Sequence, residues 1–207
     1  MSEKFRGITP DNSSALPQRD NLLPTPELEF DYAIDIASRI TNLGTRNDLY
    51  LTIASEQARA GMNPLFPPEY FLGLVDQSIP INAESPVERI ALMQAQLGDS
   101  TGALETAYRT SKFPWFWGEL ARTLAPQGVD VQPIFAEMAS KVKSSDFSSL
   151  HTAGMIVETQ RELELPPDKL LVDQFKGYTS PYQDAIDTHN IMLTTAYAQG
   201  GFPEEAL

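Results

Sequence analysis

The chain repeats itself, and a chain that repeats at intervals of about three dozen residues has few ways to fold. The run Ile53-Ala54-Ser55-Glu56-Gln57-Ala58-Arg59-Ala60-Gly61 returns as Ile90-Ala91-Leu92-Met93-Gln94-Ala95-Gln96-Leu97-Gly98, with Ile, Ala, Gln, Ala and Gly at matching offsets. A third copy keeps the frame with Leu120, Ala121, Ala125 and Gly128. A fourth has Ile156, Val157 and Gln160, with Glu164 in the glycine's place, and a fifth has Leu193, Tyr197, Ala198 and Gly201. The leading residues are separated by 37, 30, 36 and 37 positions. Such intervals belong to arrays of paired helices, in which no single unit can bury its apolar face alone.

Each copy carries the marks of a helix and its end. Apolar residues at i, i+3 and i+4 face a neighbour, and the small side chains of Ala54, Ala91 and Ala121 let two backbones approach. The glycine that follows suits the left-handed conformation that closes a helix and turns the chain back. A second helix is expected after it, on the stripes Ala103, Leu104 and Ala107 or Ile134, Phe135 and Met138. Start signals fit the same frame: Ser85-Pro86-Val87-Glu88 and Ser180-Pro181-Tyr182-Gln183 combine a serine cap, proline at the first helical position and a Glu or Gln two residues after it. No segment alternates with a period of two, so the expected class is all-α, without a sheet.

Ahead of the repeats, residues 1–24 carry Pro10, Pro17 and Pro24 among polar residues and are expected to form a flexible leader. Order is expected from Thr25-Pro26-Glu27, where Ala33, Ile36, Ala37 and Ile40 make one apolar stripe over about four helical turns. The repeat domain is thus residues 25–207. At its end, Phe202-Pro203-Glu204-Glu205-Ala206-Leu207 opens like a helix and then stops, which predicts a last repeat that is cut short. Leu193 and Tyr197 would then lack a covering helix, so the expectation is either a fragment of a longer protein or an open C-terminal end that serves as an interface, with self-association through it.

Tyr197, Gly201 and Ala206, with Leu193, and the set Ile90, Ala91, Gly98 and Ala103, resemble tetratricopeptide-like repeats of the α-solenoid proteins. The resemblance spans roughly residues 27 to 207. It implies tandem antiparallel helical hairpins stacked as a short right-handed solenoid, which acts as a scaffold or adaptor presenting a concave surface to a peptide or protein. A HEAT-like or irregular hairpin array fits the same spacing. The 30-residue interval, Pro126 and the segment Asn63-Pro64-Leu65-Phe66-Pro67-Pro68 depart from the standard repeat.

Charge and composition narrow the partners. The 28 acidic residues against 15 basic ones leave a net charge of −13, whose averaged field repels nucleic acid and anionic lipid. No run approaches the roughly 20 apolar residues of a membrane span, and the N-terminus lacks the apolar core of a signal peptide. A cytoplasmic protein is expected, and the sequon at Asn12 then has no consequence. Without cysteine there is no disulfide, thiolate metal site or thiol nucleophile.

Catalytic groups are sparse. His151 and His189 share no metal-ligand spacing, Asp187 and His189 are two apart and so point to different helix faces, and Gly200-Gly201 fits a helix end better than a phosphate loop. The chain is expected not to be an enzyme, and to need no cofactor or metal. A structural or regulatory domain of a larger assembly is the alternative to a scaffold, ahead of an enzyme whose site goes unrecognised.

Two features suggest where a partner would bind. Phe113-Pro114-Trp115-Phe116-Trp117 puts four aromatics in five residues, more than one buried face absorbs easily, so Trp115 and Trp117 are candidate anchors. Packing between neighbouring hairpins is the plainer role for them. The repeated first helices carry Arg59, Arg89, Arg122 and Arg161. In similar folds such positions lie near the groove, so Arg89, Arg122 and Arg161 are candidate contacts for a partner's carboxylates. Local pairing with Glu and Asp is their plainer role.

Overall fold

The computed structural model describes residues 26–81, 85–109, 114–143, 147–177, 180 and 182–206. The expected leader, including Asn12, and Thr25 lie outside the described residues, as do Phe113, Pro181 and Leu207. The described residues form ten α-helices and one short 3-10 turn, with no strand, in agreement with the all-α expectation.

Five helices form a row. They are α2 (Leu43–Arg59), α4 (Pro86–Gln96), α6 (Pro114–Leu124), α8 (Phe147–Glu162) and α10 (Gln183–Gly200), and each packs on the next. The leading Ile or Leu of every copy falls in one of them. Shorter helices follow the first four: α3 (Pro68–Asp76), α5 (Ser100–Tyr108), α7 (Gln132–Ser140) and α9 (Lys169–Asp173). Helix α1 (Pro26–Ser38) packs on α2 at the start of the row.

The alanine one position after the leading Ile or Leu of the first three copies explains how closely the row packs. Ala54, Ala91 and Ala121 are wholly buried, and Val157 takes the same place on α8. On α8, Gly154 does similar work, for a Cβ added there would sit 3.3 Å from that of Ala196 on α10. At the corresponding place on α10 stands Thr194, which is exposed because no described helix packs on that face. The core is continuous from α4 to α10, with Leu120, Leu124, Ile156 and Phe116 at its centre. A smaller cluster around Leu51, Phe71, Ile90 and Met93 joins α2, α3 and α4. Each fully buried Leu or Ile here contributes roughly 1.5–3 kcal/mol.

The stops are more uniform than the helices. Eight residues after every leading Ile or Leu the backbone has positive φ: 73° at Gly61, 86° at Gly98, 80° at Gly128, 57° at Glu164 and 79° at Gly201. In all five the next N–H bonds back to the carbonyl five residues earlier, from Met62 to Gln57, Asp99 to Gln94, Val129 to Leu124, Leu165 to Gln160 and Phe202 to Tyr197. This is the Schellman closure, which satisfies carbonyls that a helix end leaves open. The repeated glutamine has its own use. Gln57 Oε1 accepts from the N–H of Leu65 and Gln160 Oε1 from that of Asp168, each eight residues on, so a buried amide steadies the turn before the next helix.

Helix starts differ from expectation. Ser85 precedes α4 with φ 51° and ψ 57° and makes no side-chain cap, because the left-handed conformation swings its hydroxyl away from the amides that a cap in extended conformation reaches. Ser180 does not cap α10 either. Its hydroxyl accepts from the N–H of Tyr182, and the helix opens at Gln183. Among the described residues, the side chains that cap a helix start are Asn42, accepting from Thr45, and Asp99, accepting from Gly102. The final residues also differ: Pro203–Glu205 form a turn and not the opening of a helix. Tyr197 is buried all the same, with Phe202 and α9 in the place where a missing helix was expected.

Glu164 holds a conformation that costs an L-residue about 1–2 kcal/mol and that glycine adopts freely. Its side chain is exposed, so Glu164→Gly should stabilise the protein by about 1 kcal/mol and raise Tm by roughly 2–4 °C, read by thermal denaturation.

Candidate binding groove

The row helices share one solvent-facing stripe. Counted from the leading Ile or Leu of each copy, positions −5, −1, +2 and +6 are separated by four, three and four residues and lie on one face of a helix. Nine residues at those positions line a groove of about 410 Å³ across α2, α4, α6 and α8. Helix α2 supplies Ser55 at +2 and Arg59 at +6, with Glu56 beside them, and α4 supplies Arg89 at −1, Leu92 at +2 and Gln96 at +6. Helix α6 supplies Trp115 at −5, Glu119 at −1 and Arg122 at +2, and α8 supplies Met155 at −1.

This register sorts the candidates of the sequence. Trp115 is 48% exposed and forms part of the groove wall. Trp117, two residues on, faces the opposite way and is 1% exposed, its ring between Tyr108 and Phe116 with the Lys141 ammonium over it. Arg89 and Arg122 line the groove together with Arg59. Arg161 sits at +5, one step round the helix, and instead donates to the carbonyl of Ala198 at the end of α10. Leu92, Gln96, Glu119 and Met155 were not singled out from sequence. Their shared offsets are the signal that finds them.

The arginines in the groove are committed to neighbours. Arg89 Nη1 lies 3.1 Å from Asp48 Oδ1 and its Nη2 donates to Thr52 Oγ1 at 2.7 Å, joining α4 to α2. Arg122 Nε donates to Glu162 Oε2 at 2.7 Å, joining α6 to α8. Arg59 is held by Glu56 three residues before it on the same helix, at 2.8 Å. Farther along the row, Gln199 on α10 reaches Glu158 on α8. Glu119 is different: its carboxylate accepts no hydrogen bond from the described residues and comes no nearer than 3.9 Å to Arg122.

The histidines stand apart. His151 is exposed on α8, His189 is buried on α10 with Nε2 3.0 Å from the carbonyl oxygen of Phe175, and Asp187 is exposed. Among the described residues no three His, Asp or Glu side chains gather as a metal site, and no helix is long and apolar enough to cross a membrane.

The titratable cluster with the clearest shifts lies away from the groove and fastens the C-terminal end. Tyr197 donates to Asp173 Oδ1 at 2.8 Å, Lys176 and Lys169 approach the same carboxylate, and Lys169 also reaches Glu205. The tyrosine hydrogen bond, then those of Lys176 and Lys169, hold the Asp173 carboxyl down at about 2, against the opposing effect of burial. Burial first, and then Asp173, pushes the Tyr197 phenol up. The hydrogen bonds of Glu205 and Asp173 raise Lys169. Both ammonium groups also lie over the Tyr197 ring.

Two measurements check these assignments. A double-mutant cycle on Arg122 and Glu162, both to Ala, should give a coupling of about 0.5–1 kcal/mol that shrinks in high salt, as a partly exposed pair does. For Asp173 the folded pKa is below the unfolded one, so its stabilisation is complete above about 4 and is lost as pH falls through about 2. The shift sets a ceiling of about 2 kcal/mol, which solvent reduces. Asp173→Asn should therefore be less stable than the native chain at pH 6, and the difference should close towards pH 2 in denaturant titrations.

Compared with known proteins, the chain matches no family model, no curated protein and no solved structure.

Proposed function

We propose that this protein is an interaction scaffold: a short right-handed solenoid of tetratricopeptide-like hairpins whose row helices present their common face to a peptide or to a segment of a partner protein. The observation that carries the reading is the groove itself, in which four successive row helices place residues of one register around a half-exposed Trp115. Exposed indoles of this kind give a large contact area for little entropy and concentrate in binding hot spots. Arg89 and Arg122 serve the same reading as ties that fix the spacing of the helices beneath a ligand. The net charge of −13 favours a protein partner over nucleic acid, and a cytoplasmic setting suits a chain without cysteine.

A second reading is a domain of a larger assembly joined through its end. Tyr32 and Ile36 favour it, since both are exposed one turn apart on α1 while Ala37 beside them is buried against the row.

The two readings separate by site-specific photo-crosslinking in extracts of the source cell. A crosslinker at Ser55 or Gln96 should capture a discrete partner that is lost when Trp115→Ala is added, while one at Ala136 on α7 or at Tyr32 should not. Capture from Tyr32 alone would replace the scaffold reading with the second.

A further inference from the structure

We propose that the groove recognises a basic side chain, an arginine or lysine of the partner, held between the ring of Trp115 and the carboxylate of Glu119; this rests on the scaffold reading above and names its partner's chemistry. From the sequence, Arg89, Arg122 and Arg161 are candidate contacts for a partner's carboxylates. The ion pairs favour a basic partner instead. Arg89 is taken up by Asp48, Arg122 by Glu162 and Arg59 by Glu56, so each cation already has its anion. With those partners counted, the three arginines meet four carboxylates, and the fourth, Glu119, shares Arg122 only at 3.9 Å, beyond hydrogen-bond distance.

Glu119 stands one helical turn after Trp115 on α6, so the two side chains share a face and both line the groove. Its side chain is 54% exposed, and no described group donates to it. A cation within about 6 Å of an indole face is attracted by the ring quadrupole, and a carboxylate beside the ring supplies the counter-charge. Leu92 and Met155 complete the wall with apolar surface, which suits the methylene stem of an arginine or lysine better than a compact anion. At longer range, a chain of net charge −13 draws basic segments towards it and repels acidic ones.

The test uses three blocked eight-residue peptides that alternate leucine with arginine, glutamine or glutamate, titrated at low salt into the full chain labelled with 15N. The indole N–H signal of Trp115 is the readout, and that of the buried Trp117 is the internal control. The arginine peptide should move the Trp115 signal and bind about five- to tenfold more tightly than the glutamine peptide, with the glutamate peptide weakest. Glu119→Gln should remove that preference with helicity unchanged. Glu105→Gln, the same change of charge on α5, should leave it. If the glutamate or glutamine peptide moves Trp115 as well as the arginine peptide does, or if Glu119→Gln leaves the preference intact, the basic anchor is wrong and the scaffold reading stands. If no peptide moves Trp115, both are overturned.

Discussion

Everything in this fold is timed by a left-handed residue. Eight positions after each leading apolar side chain the backbone turns through positive φ, and the same bond closes the helix five times over. Because the stop falls at a constant distance from the anchor, the helical phase of each row helix is fixed relative to its neighbours. Ala54, Ala91 and Ala121 then always face a neighbour, and no residue at positions −5, −1, +2 and +6 of the row helices is fully buried. A stop displaced by one residue would rotate a helix by about 100° and carry its small residue out of the seam. The groove is thus a consequence of punctuation as much as of packing. Even at Glu164, where no glycine is present, the chain accepts an unfavourable backbone to keep the phase.

A large part of this was legible in the sequence, because the repeat is a physical requirement that leaves a periodic trace. The helices around Ala103 and Ile134, the four glycine stops and the seam alanines all follow from spacing alone. Helix starts were harder. Ser85-Pro86 has the composition of a cap, but capping depends on the backbone angle of the serine, and the turn before α4 places that residue where its hydroxyl reaches no amide. The final turn was also beyond reach. Whether Phe202-Pro203 opens a helix or folds over Tyr197 depends on contacts with α9, far away in the sequence.

The candidate site shows the same division. Trp115 and Trp117 look equivalent as residue types, yet two positions on a helix separate groove from core, and counting from Leu120 would have parted them. Arg161 could have been set aside by the same count. What no count supplies is the pairing across helices. Asp48 and Glu162 are about 40 residues from the arginines they hold, so the electrostatic character of the groove emerges only once the row is assembled.

The uniform register has a further consequence for how such a surface can change. Each row helix offers its outward places in the same pattern, like rungs of equal spacing, while the residues that build the seam sit on other faces. Ser55, Leu92 and Arg122 hold the same rung on three helices and share no chemistry. The face is therefore a lattice whose cells can be relettered one at a time, with the alanine seam and the helix stops left untouched. The chemistry of a surface of that kind can change through scattered single substitutions, while the memory of its fold is kept in the seam and the helix stops.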